Sequence, residues 1–269
     1  MKVFNFWHFL VVAAVFLPLE RLFALRKEQK ILRANWRLDL VYTFLNGALI
    51  TVGITLIIVV AGNIFGSVVP ARLRAAVAMQ PLLIQLIEAV ISADLVFYCA
   101  HRLFHSVPFL WKFHAVHHSI EEMDWLASAR IHPVDQIVTK GASILPLLAL
   151  GFSDPVIAAF AFIFSWQSYL LHSNVRIKFG LLKWVVASPE SHHWHHANER
   201  EAYNKNYAAQ LSIIDKLFHT LYLPEGKTPE KYGIDEPVPR GYLSQLILPF
   251  RHNPQSSNSE LEASGSVKP

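Results

Sequence analysis

The sequence holds one cysteine, Cys99, in 269 residues, which excludes an internal disulfide framework and any cysteine-based zinc site. Charge is also scarce. Asp, Glu, Lys and Arg make up 16% of the chain, against about 25% in an average soluble domain. The apolar residues reach 53% and the mean hydropathy is +0.31, so the chain is neither disordered, fibrous nor an ordinary cytosolic enzyme. No repeat of solenoid length is visible. The net charge of +4 is modest, and the basic residues flank apolar runs, which suits anionic lipid better than nucleic acid. Histidine is abundant instead, with fourteen copies.

The apolar residues come in runs. Val3 to Leu19 ends on Glu20 and Arg21, has no convincing cleavage site, and reads as an uncleaved membrane helix. Leu40 to Phe65 carries no charge in 26 residues, more than the roughly 20 that span a bilayer. Pro81 to Ala100 is apolar apart from Glu88 and Asp94, and Ala142 to Leu171 is broken by Gly151-Phe152-Ser153-Asp154-Pro155, which predicts a hairpin of two shorter helices. Between the first two runs lie Arg21, Arg26, Lys27, Lys30, Arg33 and Arg37, which assigns that loop to the cytoplasm. Alternation then brings His101 to Lys140, and everything after His172, to the same side. The last third is water-compatible, and the tail from Asn253 is polar, of low complexity and expected to be disordered.

The histidines are clustered: residues 101–118 hold five and residues 192–196 hold four. His101 and His105 are four apart; His114, His117 and His118 stand at i, i+3 and i+4, and His192, His195 and His196 repeat that spacing. On helices each set shares a face. His172 adds one imidazole where the hairpin re-emerges. Nine imidazoles exceed the needs of one metal, since a catalytic zinc takes three protein ligands and an open position. Two ions with four or five imidazoles each use the set. Imidazole suits iron, copper, nickel and zinc alike; iron is preferred because a two-metal site in a membrane is best explained by oxidation of a lipid. His132 and His193 are candidates for a tenth ligand or a supporting donor, while His8, His219 and His252 read as ordinary surface residues. Asp94, seven residues before His101, is the expected carboxylate partner of His101. Glu88 is expected to pair with Arg72 or Arg74, and Cys99 to be a small buried residue. Trp125, Trp166, Tyr169 and Trp194 are candidates for a substrate pocket or for core.

These residues resemble the fatty acid hydroxylase / sterol desaturase superfamily of membrane di-iron oxidases. The family pattern H-x-x-x-H, H-x-x-H-H and a later H-x-x-H-H falls on His101/His105, His114/His117/His118 and His192/His195/His196, with HSN at His172 to Asn174 and NKNY then DKLF at Asn204 to Phe218. The likeness spans residues 80–225. Some relatives carry a further histidine where this chain has Ser168, and most carry Trp and Gly where it has Ile214 and His219.

The resemblance implies an all-α, multi-pass membrane helix bundle of about four spans or span-like hairpins, with a cytoplasmic helical cap over two iron ions. It implies hydroxylation or desaturation of a sterol, fatty acyl chain or related lipid, with dioxygen as co-substrate. Electrons would come from a separate ferredoxin or cytochrome-type protein with its reductase. The expected divisions are membrane helices and basic loop at 1–79, catalytic domain at 80–225, extension at 226–252 and tail at 253–269. The chain ends in no ER-retention signal, and a bacterial inner membrane is the expected location. The rival readings are a zinc-dependent membrane hydrolase, for which no H-E-x-x-H base is present, and a metal-binding or transport membrane protein, which would place its ligands at mid-bilayer.

Overall fold

A computed structural model describes residues 6–251; the expected disordered tail and His252 lie outside them. The described residues contain helices and turns, and the only strand-like pairings are the isolated bridges Ala24 with Val175 and Ala197 with Tyr232. The long elements are α1 (Phe6–Leu22), α2 (Trp36–Val68), α3 (Ala71–Ala78), α4 (Leu82–Ser106), α5 (Pro108–His118), α6 (Pro133–Leu150) and α7 (Asp154–His172). Shorter helices follow: α8 (Pro189–His195), α9 (Ser212–Leu217) and α10 (Tyr242–Leu246).

Three of these, α2, α4 and α7, are long and apolar enough to cross a membrane. α1 has 17 residues, and α6 carries Gln136, Thr139 and Lys140 in its first half. The predicted hairpin is α6 and α7. Gly151 ends α6 at φ 76°, a left-handed conformation natural to glycine, and a Cβ there would press on the Arg74 side chain from α3. α2 and α6 approach closely because Gly53 lies under Ile137 and Gly141 under Ile57, the small-residue packing expected between helices in lipid. Cys99 is exposed, a correction to the expected burial: it shares the outward face of α4 with Leu95 and Leu103, four residues either side. Glu88 accepts from the Gln80 side chain at 3.3 Å, not from Arg72 or Arg74.

α4 and α7 end, and α2 and α6 begin, at one end of the bundle, where a layer of short helices and loops covers them. Two polar devices fasten that layer. Glu20, near the end of α1, accepts from the backbone N–H of Trp125 at 2.8 Å and of Asn174 at 2.9 Å. Arg33, Asp39, Asp124 and Arg130 form a buried ion-pair network, with Arg33 2.7 Å from Asp124. Arg33 and Arg26 are therefore structural members of the basic loop; Arg26 donates to the carbonyls of Pro229 and Glu230 and covers the Tyr232 ring.

Candidate metal centre

Each H-x-x-H-H segment is helical for a local reason. α5 starts with Pro108 at its first position, where a missing N–H costs nothing. α8 starts with Pro189 behind a capping box in which Ser188 and Ser191 bond each other's backbone N–H. The segments were expected to present three imidazoles on one face. The structure divides them: His101, His105, His114, His118 and His195 form one group, and His117, His172, His192 and His196 a second, with donor nitrogens within 4.8 Å inside each group. The division follows from helix geometry, since positions i+3 and i+4 differ by about 100° around the axis. Each motif lies along the seam and gives two imidazoles to one group and one to the other.

Five rings are aimed from behind. The Nδ1–H of His101 donates to the Tyr207 carbonyl at 2.7 Å, that of His117 to Arg130 at 2.9 Å, that of His172 to Ser168 at 2.8 Å and that of His195 to Lys205 at 2.8 Å. His114 Nδ1–H donates to the Asp135 carboxylate at 2.6 Å. A proton on Nδ1 leaves a lone pair on Nε2, and these lone pairs face one another. His101 and His114 Nε2 stand 3.0 Å apart, His114 and His118 3.1 Å, His118 and His195 3.1 Å, His117 and His172 3.2 Å, and His172 and His192 3.0 Å. In pairs such as His101 with His114 and His117 with His172, both rings give Nδ1–H outward, so neither Nε2 has a proton for the other.

Opposed lone pairs need a cation between them. Protons are a poor choice: burial, then the neighbouring rings, holds His114, His118, His192 and His196 well below 6.5, and burial lowers His195 to about 4. A metal ion fits instead. Two imidazoles bound about 2.1 Å from one ion at roughly 90–110° lie about 3.0–3.4 Å apart, the separation found. His196 adds an independent sign, being 0% exposed with neither ring nitrogen partnered. Neither group contains a carboxylate.

The other candidates fall elsewhere. His132 accepts from Val134 N–H and donates to the Leu246 carbonyl, capping α6. His193 bonds Tyr232 Oη at 2.8 Å and the Ser173 carbonyl at 3.0 Å, so both its nitrogens point away from the two groups. Asp94 does not touch His101, contrary to expectation. Its carboxylate accepts from the backbone N–H groups of Ala209, Gln210 and Leu211, while Asp215 takes those of Tyr207 and Ala208. These two acids clamp the loop that carries the Tyr207 and Lys205 carbonyls, so Asp94 acts on His101 at one remove. The carboxylate that does meet an imidazole is Asp135, which the sequence reading missed; its signal is an acid in the first turn of an apolar helix. Of the aromatic candidates, Trp125 and Tyr169 line a cavity beside the site, whereas Trp166 packs on Phe16 and Phe162 and Trp194 on Tyr222.

A chamber of about 60 Å³ borders His101, His114, His117, His172 and His192 and is closed by Phe97, Phe164 and Leu171. A separate cavity of about 460 Å³ reaches His105, His118 and His195 past Trp111 and Glu236. The two share no residue.

Comparison with known proteins places this arrangement. The chain is 32% identical over 170 residues to an ornithine lipid hydroxylase, OlsE, of Rhizobium tropici, covering 63% of this chain and 51% of the relative. It is 32% identical over 165 residues to the alkylglycerol monooxygenase of Homo sapiens, covering 61% and 36%. A very-long-chain aldehyde decarbonylase, GL1-1, of Oryza sativa subsp. indica is 25% identical over 171 residues, covering 59% and 27%. The chain thus matches about half or less of the length of these curated relatives. No solved structure matches. The family model for fatty acid hydroxylase matches residues 86–220, half of the chain and the stretch that supplies all nine clustered imidazoles, and the chain belongs to the fatty acid hydroxylase family.

Proposed function

We propose that this protein is a membrane oxygenase that hydroxylates a lipid: R–H + O₂ + 2e⁻ + 2H⁺ gives R–OH + H₂O. The observation that carries the reading is the pair of imidazole groups with inward lone pairs beside a small apolar chamber, at the end of a bundle whose helices can cross a membrane. When bound, two iron ions would supply the redox chemistry that activates dioxygen. His101, His105, His114, His118 and His195 would hold one ion, and His117, His172, His192 and His196 the other. The protein's own part is positional. Asp135 and the carbonyls of Tyr207, Arg130, Ser168 and Lys205 fix the ring orientations, as outer partners of metal-bound histidines do. Phe97, Phe164 and Leu171 exclude water from the chamber, so that the substrate carbon meets a dry, preorganised site.

Hydroxylation is favoured over desaturation because the relatives named above include a hydroxylase and a monooxygenase. The two electrons come from a separate ferredoxin or cytochrome-type donor, for which the cavity at His105, His118 and His195 is the open approach. The basic loop at 21–37 favours a cytoplasmic site, and we assign the protein to a bacterial inner membrane.

Metal analysis of protein purified in detergent after iron-replete expression tests the proposal, beside a His117→Ala/His195→Ala double variant. About two irons per chain, lost in the variant, with a lipid product carrying one atom from labelled dioxygen, is the expected result. Zinc without iron and no labelled lipid would overturn it in favour of a hydrolase or metal-binding protein.

A further inference from the structure

A second and larger space adjoins the chamber. A cavity of about 440 Å³ lies between α1, α2, α6 and α7, walled by Val12, Tyr42, Asn46, Thr51, Trp125 and Tyr169. Its size falls within the range of small-molecule sites. Gln136, Lys140 and Ser168 line both this cavity and the chamber at the imidazoles, so the two spaces share that wall. Gln136 and Lys140 are one helical turn apart on the same face of α6.

Lys140 is the anomaly. It sits on a helix packed between α2 and α4, where an ammonium is costly unless it is paired. Yet Lys140 belongs to none of the ion pairs formed among the described residues. Its Nζ stands 5.7 Å from the centre of the Phe164 ring, a weak cation–π contact. Asp135, the acid on the same helix, is turned to His114. Lys140 thus stands at the junction of a ligand-sized cavity and the reaction chamber with no direct ion pair, and the carboxylate nearest in charge, Asp135, attracts it from a distance while bonded to His114.

We propose that the cavity between α1, α2, α6 and α7 is a headgroup site for an anionic lipid, and that Lys140 receives its carboxylate or phosphate. The inference rests on the hydroxylase reading and deepens it, because the position of Lys140 fixes which carbons reach the metals. With the anion seated on the shared wall, only atoms a few bonds away extend into the chamber. Oxidation therefore falls beside the headgroup, and the middle of an acyl chain does not enter.

Binding is measured without turnover, by titrating the metal-loaded protein in neutral detergent, without reductant, with N-lauroylglycine, lauroyl lysophosphatidic acid and monolauroylglycerol. The wild type is expected to bind at least one anionic probe more tightly than the neutral one, and the stronger of the two identifies carboxylate or phosphate as the natural group. Lys140→Met should weaken that probe by about tenfold or more, as expected on removing one partner of a buried charge pair, and leave monolauroylglycerol unchanged. Lys140→Arg should restore the preference. Should Lys140→Met not fold, the wild-type preference and its loss in Lys140→Gln decide the matter. Equal binding of charged and neutral probes by the wild type overturns the site, as does an equal loss for all three in the variant. The two readings separate cleanly: charge-selective binding through Lys140 with no oxidised lipid leaves the site and removes the hydroxylase, whereas undiminished hydroxylation by Lys140→Met leaves the hydroxylase and removes the site.

Discussion

The two imidazole groups are built from the same motifs but differ in how they are held and reached. The five-membered group has three rings fixed by outer hydrogen bonds, those of His101, His114 and His195, and opens through His105 to the cavity at Trp111. The four-membered group is the more closed, bordering the chamber of about 60 Å³. His117 and His172 are fixed, and His196 is wholly buried with both nitrogens unpartnered. A buried, unpartnered polar ring costs about 1–3 kcal/mol, so under the proposed function a bound ion would stabilise the closed group. The open group leans on its loop and on Asp135 for geometry.

Ligand removal should give the largest effect. His196→Ala should lose about one iron per chain and keep the other, and His105→Ala should lose the other with the complementary partner kept, as read by elemental analysis. Loss of both ions in either variant would show that the groups act as one. Either variant should lower hydroxylation by about 100-fold or more, in line with removal of a metal on which catalysis depends.

Asp135→Asn removes the anionic partner of His114 and should weaken iron binding in the open group by roughly 10–100-fold. The closed group should hardly respond, because its rings are aimed by Arg130 and Ser168. Titration with a competing chelator separates the two, and an equal loss from both would break the comparison.

Acid should destabilise the metal-free protein through buried neutral rings, His195 in the open group and His193 beside the two groups. His193 and His195 are pushed down to about 4 by burial, against about 6.5 in an unfolded chain. Between those values the unfolded chain takes up protons that the folded one refuses, so stability is present above pH 6.5 and declines as the pH falls toward 4. Thermal melts at pH 7, 6 and 5 should fall in that order; a constant midpoint would refute the assignment of neutral rings.

The smallest effect lies outside both groups. His219 holds φ 58°, a left-handed conformation in a non-glycine residue. His219→Gly should stabilise the fold by about 0.5–1 kcal/mol without altering iron content, as measured by denaturant melts.

The composition and run lengths of the sequence determined the helical class, the hairpin at Gly151 and the nine clustered imidazoles, because hydropathy and periodicity are local properties. The spacing of His114, His117 and His118 announced helices but put all three on one face. Only the packed structure decided that the i+3 ring crosses to the other group, since that depends on where the partner helices stand. Carboxylate roles were equally out of reach. Asp94 has the right helical register for His101, yet the loop at 209–211 arrives to occupy it, while Asp135, 21 residues from His114, makes the contact. That Lys140 makes no direct ion pair was likewise invisible, because it depends on where Asp135 and the surrounding elements stand. Sequence settled which residue types are available and how each segment coils; long-range packing settled who meets whom.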